Sequence, residues 1–286
     1  MKKLVLLILL VFPILTISQN VQPLTVQDSL YLISLPKLKL PESYRGKELP
    51  PTHDNSTNQY FRPIFSQESH PNCMQSSRIA YAFTYEIDRL RNAPADLPEN
   101  QYTTHFSWNF FNNIWYGVNY LHTHEVLKRN GTPNLIDYDG FYTGGSGRWM
   151  TGYDKYHRTM QNRLDEVYTI DVSTEEGLLT LKHWLYDHLE ESPIGGVANF
   201  IACSPWNYMP LPEGTPEAGK KVIAGFCPEA LHGMTIVGWN DSIRIDYNGD
   251  TRYTTDMDIT GDGVIDLQDW DCLLYTSDAA DDLVSV

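Results

Sequence analysis

The sequence is poor in basic residues and in the spacings that mark metal or phosphate sites. It has 21 Lys and Arg against 36 Asp and Glu, so the formal net charge is −15. A nucleic-acid-binding surface needs clustered Lys and Arg to neutralise phosphates, so this balance argues against a nucleic-acid partner. Zinc-ligand sets are not evident. The glycine-rich stretch 144–147 lacks the lysine and helix that follow a phosphate-binding loop.

The apolar run near the N terminus is too short for a membrane span. Lys2 and Lys3 precede about 14 apolar residues, and the small residue Ser18 closes the run. This pattern is typical of an export signal, whereas a spanning helix needs about 20 residues. We expect residues 1–18 to be a signal peptide and the mature chain to be secreted or periplasmic, with no stable membrane span. A retained anchor is the alternative.

Hydrophobic periodicity predicts helices in the first half of the chain and strands in the second. Four apolar residues after Cys73 recur at a spacing of three or four: Ile79, Phe83, Ile87 and Leu90. A second helix is expected over 104–121, and Ser173 can cap a third. Buried strands are expected over 193–201 and 234–239. The pattern indicates an α+β fold, and 286 residues suit one two-lobed enzyme.

Cysteine is scarce, with four residues: Cys73, Cys203, Cys227 and Cys272. Cys203 and Cys227 bracket a segment rich in Pro and Gly that a disulfide could close, and both the paired and the unpaired state remain open. In either case Cys73 can stay free, as a nucleophile requires.

Cys73 stands where a loop becomes an amphipathic helix. The helix dipole and the unpaired N–H groups of the first turn favour a thiolate there. Gln67, six residues earlier, could donate its amide to a developing oxyanion together with the backbone N–H of Cys73. A buried structural cysteine is the alternative interpretation.

His232 opens a short apolar strand that ends in Gly238-Trp239. A strand holds a general base rigidly within reach of its nucleophile, so His232 is the candidate base. The other eight histidines are expected to be non-catalytic: His53, His70, His105, His122, His124, His157, His183 and His188.

The order of these elements resembles the papain-like (C1-type) cysteine peptidases, in a divergent bacterial-type branch. That family carries Gln, five residues and Cys, and later a His-[Ala/Gly] strand ending in Gly-aromatic; residues 130–138 and 193–198 are also similar to family segments. The resemblance implies Cys73 as nucleophile, His232 as base and Gln67 as oxyanion donor. It also implies a two-lobed α+β fold with the site in the cleft, a protein or peptide substrate, and no cofactor for catalysis.

Three features depart from the family pattern. Pro71 and Asn72 stand where Gly-Ser is usual, Met74 replaces a tryptophan, and no Asn-Ser-Trp follows His232. In that family the asparagine orients the catalytic imidazole. We therefore expect the papain-like fold to be C-terminally truncated here, with the orienting residue lost.

An acidic segment, 241–271, holds nine Asp and two Arg. Within it, residues 258–269 fit a calcium loop of EF-hand or dockerin type, with glycine at position six. The candidate ligands are Asp258, Thr260, Asp262, Val264 (through its carbonyl), Asp266 and Asp269. A structural Ca²⁺ is thus the one expected ion, and an acidic surface hairpin is the alternative.

Residues 272–286 match the translation of a sequencing-library transposase adapter, so we interpret them as non-native read-through. The expected division is a signal peptide at 1–18, a lead-in at 19–53 and a peptidase domain at 54–271. The helical part of that domain is about 54–150 and the β-rich part about 151–271, with the calcium-loop insertion at 241–271.

The leading functional hypothesis is a cysteine peptidase that forms an acyl-enzyme. An inactive papain-like binding protein and a Cys-His cell-wall amidase of NlpC/P60 type are the alternatives.

Overall fold

The computed structural model describes residues 25–67, 72–111, 121–142, 146–202, 208–210, 221–223, 232–241 and 276–277. In these ranges, the α-helices are α1 (Val26–Ser34), α2 (Cys73–Gln75), α3 (Thr84–Arg91), α4 (His105–Trp108), α5 (His122–Asn130), α6 (Tyr153–Gln161) and α7 (Glu175–Asp187). The strands are β1 (Thr52–Asp54), β2 (Ala198–Ala202), β3 (Tyr208–Pro210), β4 (Lys221–Ile223), β5 (His232–Ile236), β6 (Gly238–Asn240) and β7 (Thr276–Ser277).

A single long helix, which we call the central helix, runs from Cys73 to Arg91. It consists of α2, a π-helix over Ser76–Phe83, and α3. A π-helix forms i→i+5 hydrogen bonds; it is rare, and it is frequently found at functional sites. The Thr84 hydroxyl donates to the Ile79 carbonyl oxygen at 3.0 Å, where the wide turns give way to α3.

The wide turns change which residues of the central helix face the core. Ile79 and Phe83 are buried, but Leu90, which the spacing of three or four residues puts on the same helical face, is 75% exposed. Arg78, which the periodicity places on the solvent face, is buried. Each π-helical turn contains more residues than an α-helical turn. Residues spaced for a 3.6-residue period therefore no longer lie on one face of the helix.

Strands β2, β5 and β7 form one antiparallel sheet in the order β2-β5-β7. Ala198 pairs with Ile236 and Ala202 with His232, so β2 lies along the whole of β5. On one side of this sheet, α7 packs through Leu181 and Leu185. On the other side lies the first half of the central helix.

The segment before the central helix pairs and forms hydrogen bonds with the second half of the chain. β1 pairs antiparallel with β6, with Thr52 opposite Asn240. The Asn55 amide donates to the carbonyl oxygens of Leu185 and Gly196 at 2.7 and 2.8 Å. The β1–β6 ladder thus crosses the boundary expected at residue 54.

Other predicted elements differ from the structure by a few residues. α7 is capped by Thr174, whose hydroxyl accepts from the Gly177 N–H, so the prediction of Ser173 as the cap was wrong by one position. The Ser173 hydroxyl donates to Asp171 instead. The predicted strand 234–239 divides at Val237 into β5 and β6. Among the helices in the described ranges, none has the length and apolar character that a bilayer crossing requires.

Candidate active site

Cys73 is the first residue of the central helix and has a free thiol. Its side chain is 2% exposed. The preceding residue, Asn72, makes no side-chain cap to the helix. Its amide donates to the Thr104 hydroxyl at 3.2 Å, and its amide oxygen accepts from the Ser76 hydroxyl at 3.3 Å. The Asn72 side chain therefore accepts no hydrogen bond from the first-turn N–H groups, and the dipole of the helix acts at Cys73.

His232, the first residue of β5, is also buried at 2% exposure. Its neighbour Gly233 lies directly against the start of the central helix. A Cβ added to Gly233 would stand 3.4 Å from the Cys73 carbonyl oxygen and 1.8 Å from Cε of Met74. The residue after His232 therefore lies so close to the first turn of the central helix that a side chain there would meet Met74.

Met74 explains one departure from the family pattern. It is almost fully buried and clusters with Cys73, with Ile201 packed against both. Ile201 pairs with Gly233 across the sheet, so the two share one face. The unbranched Met74 side chain fills the space that the missing side chain of Gly233 leaves open.

Gln67 is fully buried at the end of the segment that leads to the central helix. Two residues earlier, the Phe65 ring stacks on Tyr81 of the π-helix with 5.4 Å between ring centres. The Phe65 N–H donates to the Tyr81 hydroxyl at 3.1 Å. These contacts fix the approach of the Gln67 segment to the central helix. Residues 68–71, between Gln67 and Asn72, lie outside the described residues.

A buried tyrosine organises the region next to α4. The Tyr138 hydroxyl lies 2.6 Å from Nδ1 of His105 and donates to the Arg148 carbonyl oxygen at 2.7 Å. It also accepts from the Asn109 amide at 3.2 Å. Burial raises the pKa of Tyr138 to about 12, so the hydroxyl stays protonated and remains a donor. His105 is therefore held by Tyr138, next to Thr104, which accepts the hydrogen bond from Asn72.

The central helix carries buried charged groups that take no part in this cluster. Arg78 donates to His124 of α5. Burial lowers the pKa of both groups, and the nearby Arg78 charge lowers that of His124 further, so His124 stays neutral. Farther along, burial raises the pKa of Asp88 to about 8, although Arg91 and Arg62 oppose the shift.

Arg62 stands on the wall of a cavity of about 490 Å³. The lining residues are Ser56, Gln59, Phe61, Arg62, Pro63, Ile64, Pro94 and Asp96. None of Cys73, His232 and Gln67 is among them. Burial lowers the pKa of Arg62 to about 10, and its guanidinium lies over the Phe65 ring at 4.6 Å. The cavity is therefore separate from the candidate dyad.

Sequence reasoning missed three polar residues that join the central helix to the sheet: Ser77, Asn199 and Thr235. The Asn199 amide and the Thr235 hydroxyl both reach Ser77, which follows Cys73 by four residues. The alternation of side chains along a strand could have identified two of them. Asn199 and Thr235 lie two residues from Ile201 and Gly233 and therefore on the same sheet face.

Several predicted features fall outside the described residues. These are the export signal, the candidate calcium ligands at 258–269, and Cys203, Cys227 and Cys272. Within the described ranges, no group of three or more His, Cys, Asp or Glu is arranged to hold a metal ion. Residues 276–277, from the stretch interpreted as read-through, form β7 at the open edge of β5.

Comparison with known proteins supports the fold. No protein-family model matches the sequence, and no curated protein matches it. Xylellain, a cysteine protease from Xylella fastidiosa, is similar in structure with a TM-score of 0.51 and 16% sequence identity, over 79% of this chain and 82% of that one.

Two proforms are more distant. Digestive procathepsin L 3 from Tenebrio molitor larval midgut has a TM-score of 0.45 and 10% identity over 75% of this chain and 64% of its own. Procathepsin B S9 from Trypanosoma congolense has a TM-score of 0.44 and 14% identity over 73% and 68%. The element order and the similarity to xylellain together show that this chain has the α+β fold of papain-like cysteine proteases.

Proposed function

We propose that this chain is a secreted cysteine peptidase that hydrolyses peptide bonds, with Cys73 as nucleophile and His232 as general base. One observation carries the proposal. The free thiol of Cys73 begins a long helix, and the first turn of that helix lies against the strand residue that follows His232. The fold shared with xylellain supports the same reaction class.

The proposed reaction has two steps. The Cys73 thiolate attacks the peptide carbonyl carbon, and the Gln67 amide and the Cys73 N–H stabilise the resulting oxyanion. As the C–N bond breaks, protonated His232 gives its proton to the leaving amine, and an acyl-enzyme remains on sulfur. His232 then takes a proton from water, the hydroxide attacks the thioester carbonyl, and the thiolate is released with the free acid.

The test is labelling of Cys73 by a peptidyl epoxide. We expect wild-type protein to gain one adduct on the Cys73 peptide, measured by mass spectrometry. We expect His232→Asn to slow the labelling by about 10²-fold or more, because the base supplies that order of rate enhancement. Gln67→Ala should label nearly as well as wild type but cleave protein substrate more slowly. Labelling that is equal in wild type and His232→Asn contradicts the proposal.

The burial of the nucleophile favours a second candidate, a papain-like binding protein without activity. At 2% exposure, the Cys73 thiol has little contact with solvent. A folded wild-type protein that takes no label, with unfolding in denaturant restoring ordinary thiol reactivity, supports this candidate. Cleavage of peptidoglycan but not of protein would instead support the NlpC/P60-type amidase.

Export and calcium binding are part of the proposal on the strength of the sequence. The lysines and apolar run of residues 1–18 support a cleaved signal peptide. The spacing of Asp258, Asp262 and Asp266 supports a Ca²⁺ loop with a structural role. Since the proposed reaction uses no metal, epoxide labelling of Cys73 should persist when a chelator is added.

A further inference from the structure

A buried polar junction joins the central helix to the sheet one helical turn after Cys73. The Ser77 carbonyl oxygen accepts from the Asn199 amide at 3.0 Å and from the Thr235 hydroxyl at 3.2 Å. The Ser77 hydroxyl donates to the Met234 carbonyl oxygen at 2.7 Å. One serine of the helix therefore binds both strands, β2 through Asn199 and β5 through Thr235 and Met234.

Strand register explains why Asn199 and Thr235 act together. They lie directly opposite each other on β2 and β5, and their side chains are hydrogen-bonded at 3.2 Å. The Asn199 amide also donates to the Ser77 hydroxyl at 2.8 Å. Ser77 and Thr235 are buried, so these bonds form where a lost partner is costly and exchange with water is restricted.

The junction is the second of two contacts between the same helix and the same strand. The first is the close approach of Gly233 to Cys73 and Met74. A single contact leaves a helix free to pivot or rotate about that point. A second contact at Ser77, four residues along the helix, restricts that freedom, because it ties the helix to the same strand at another point.

We infer that Asn199 and Thr235 are positioning residues that hold Cys73 at the correct distance and rotation relative to His232. This inference rests on the function proposed above, because it assumes that a Cys73–His232 pair forms. Neither residue touches a substrate in this scheme. They act through Ser77, and a shift of about 1 Å at the dyad can cost about 10²-fold in rate.

The test compares how fast iodoacetamide alkylates Cys73 at about pH 5.5 and about pH 8.5, measured on the Cys73 peptide by mass spectrometry. A thiol paired with an imidazolium stays reactive at the lower pH, whereas an isolated thiol loses reactivity there. The rate ratio is the alkylation rate at about pH 5.5 divided by the rate at about pH 8.5. We expect Asn199→Ala to lower this ratio by about tenfold. Thr235→Val, which keeps the side-chain shape, should lower the ratio by less, and Thr235→Ser should restore it.

Asn55→Ala is the matched control. Asn55, like Asn199, is an asparagine whose amide donates to distant parts of the chain; it is buried, whereas Asn199 is half-buried, and it binds α7 and Gly196 on the other side of the sheet. We expect Asn55→Ala to lower the melting temperature at least as much as Asn199→Ala while leaving the rate ratio within about twofold of wild type.

The outcomes separate this inference from the proposed function. If wild-type Cys73 is unreactive at the lower pH, the dyad itself is absent and the proposed function fails. If wild type is reactive there and both Asn199→Ala and Thr235→Val keep its rate ratio while folded, the positioning role is wrong and the peptidase proposal stands. Should Asn199→Ala not fold, Thr235→Val alone decides the question.

Discussion

The two faces of the β2–β5 strand pair are packed with different kinds of side chain. Towards α7, the strands present apolar residues such as Phe200 and Ile236, which pack with Leu181 and Leu185. Towards the central helix, they present Gly233, the hydrogen-bonding residues Asn199 and Thr235, and one apolar residue, Ile201. The α7 face buries more apolar surface per residue, whereas the helix face allows close approach and directional bonds.

This contrast indicates that the two faces of the sheet contribute differently to stability and to the geometry of the candidate site. The α7 face contributes mainly to the free energy of unfolding, because burial of apolar surface is the dominant favourable contribution to folding. The helix face contributes mainly to geometry, because glycine contact and polar bonds fix the relative position of two backbones. Substitutions on the two faces should therefore separate stability from thiol reactivity.

The largest effect is expected on the α7 face. Leu185 has no exposed surface, and Leu185→Ala removes its side chain from the α7 cluster. We expect a loss of about 2–5 kcal/mol in the free energy of unfolding, measured by denaturant titration. Cys73 alkylation at about pH 5.5 should be unchanged in the folded fraction. Leu90→Ala, at an exposed position of α3, is the control and should change stability little.

A smaller loss of stability with a large loss of reactivity is expected on the helix face. In Gly233→Ala, the new methyl group meets Cε of Met74, which is enclosed by Ile201. We expect a cost of about 1–3 kcal/mol from overpacking, together with reduced alkylation of Cys73 at low pH.

The double variant Met74→Ala/Gly233→Ala tests whether that contact is the cause. It should recover part of the reactivity, because Cε is gone. Gly147→Ala is the control, since among the described residues the nearest atom to its Cβ would be an Asn109 side-chain oxygen at 3.8 Å. If Gly233→Ala reacts like wild type at low pH, the two faces do not differ as argued.

The smallest effect on Cys73 reactivity is expected at Asp88, far along the central helix from Cys73. Its folded-state pKa of about 8 lies above the ordinary 3.8, so the folded state holds a proton that the unfolded state releases. Stability therefore falls as pH rises from about 4 to about 8, and this loss is complete above pH 8. Asp88→Asn removes the titrating group.

We expect Asp88→Asn to melt at least about 4 °C above wild type at pH 9, with the difference vanishing near pH 4. Thermal unfolding across that range measures it, and Asp96→Asn, at an exposed carboxylate, is the control. Because the substitution lies on neither sheet face, Cys73 alkylation should not change. A difference that grows towards low pH contradicts the assignment.

Local sequence patterns predicted the elements that carry the candidate dyad. The loop-to-helix change at Cys73 and the apolar run after His232 are the starts of the central helix and of β5. Both signals are local, since they depend on the period of nearby residues. The α+β class followed from the same patterns.

What the patterns missed depends on contacts between distant residues. The π-helix could not be read from a 3.6-residue period, so the exposure of Leu90 and the burial of Arg78 were not anticipated. The pairing of β1 with β6 and the Ser77 junction join residues far apart in the chain. Their partners are set by the tertiary fold, which propensity does not encode.

The β1–β6 ladder has a consequence for the order of folding during synthesis. The Trp239 indole donates to the Pro50 carbonyl oxygen, and these residues are 189 positions apart in the sequence. His53 packs on the Trp239 ring at 5.2 Å between centres. Contacts of such long range form slowly, because the loop between them must close first. Residues 50–55 can therefore pair with β6 only after most of the chain has been made, and a nascent chain still held by the ribosome cannot complete the fold early.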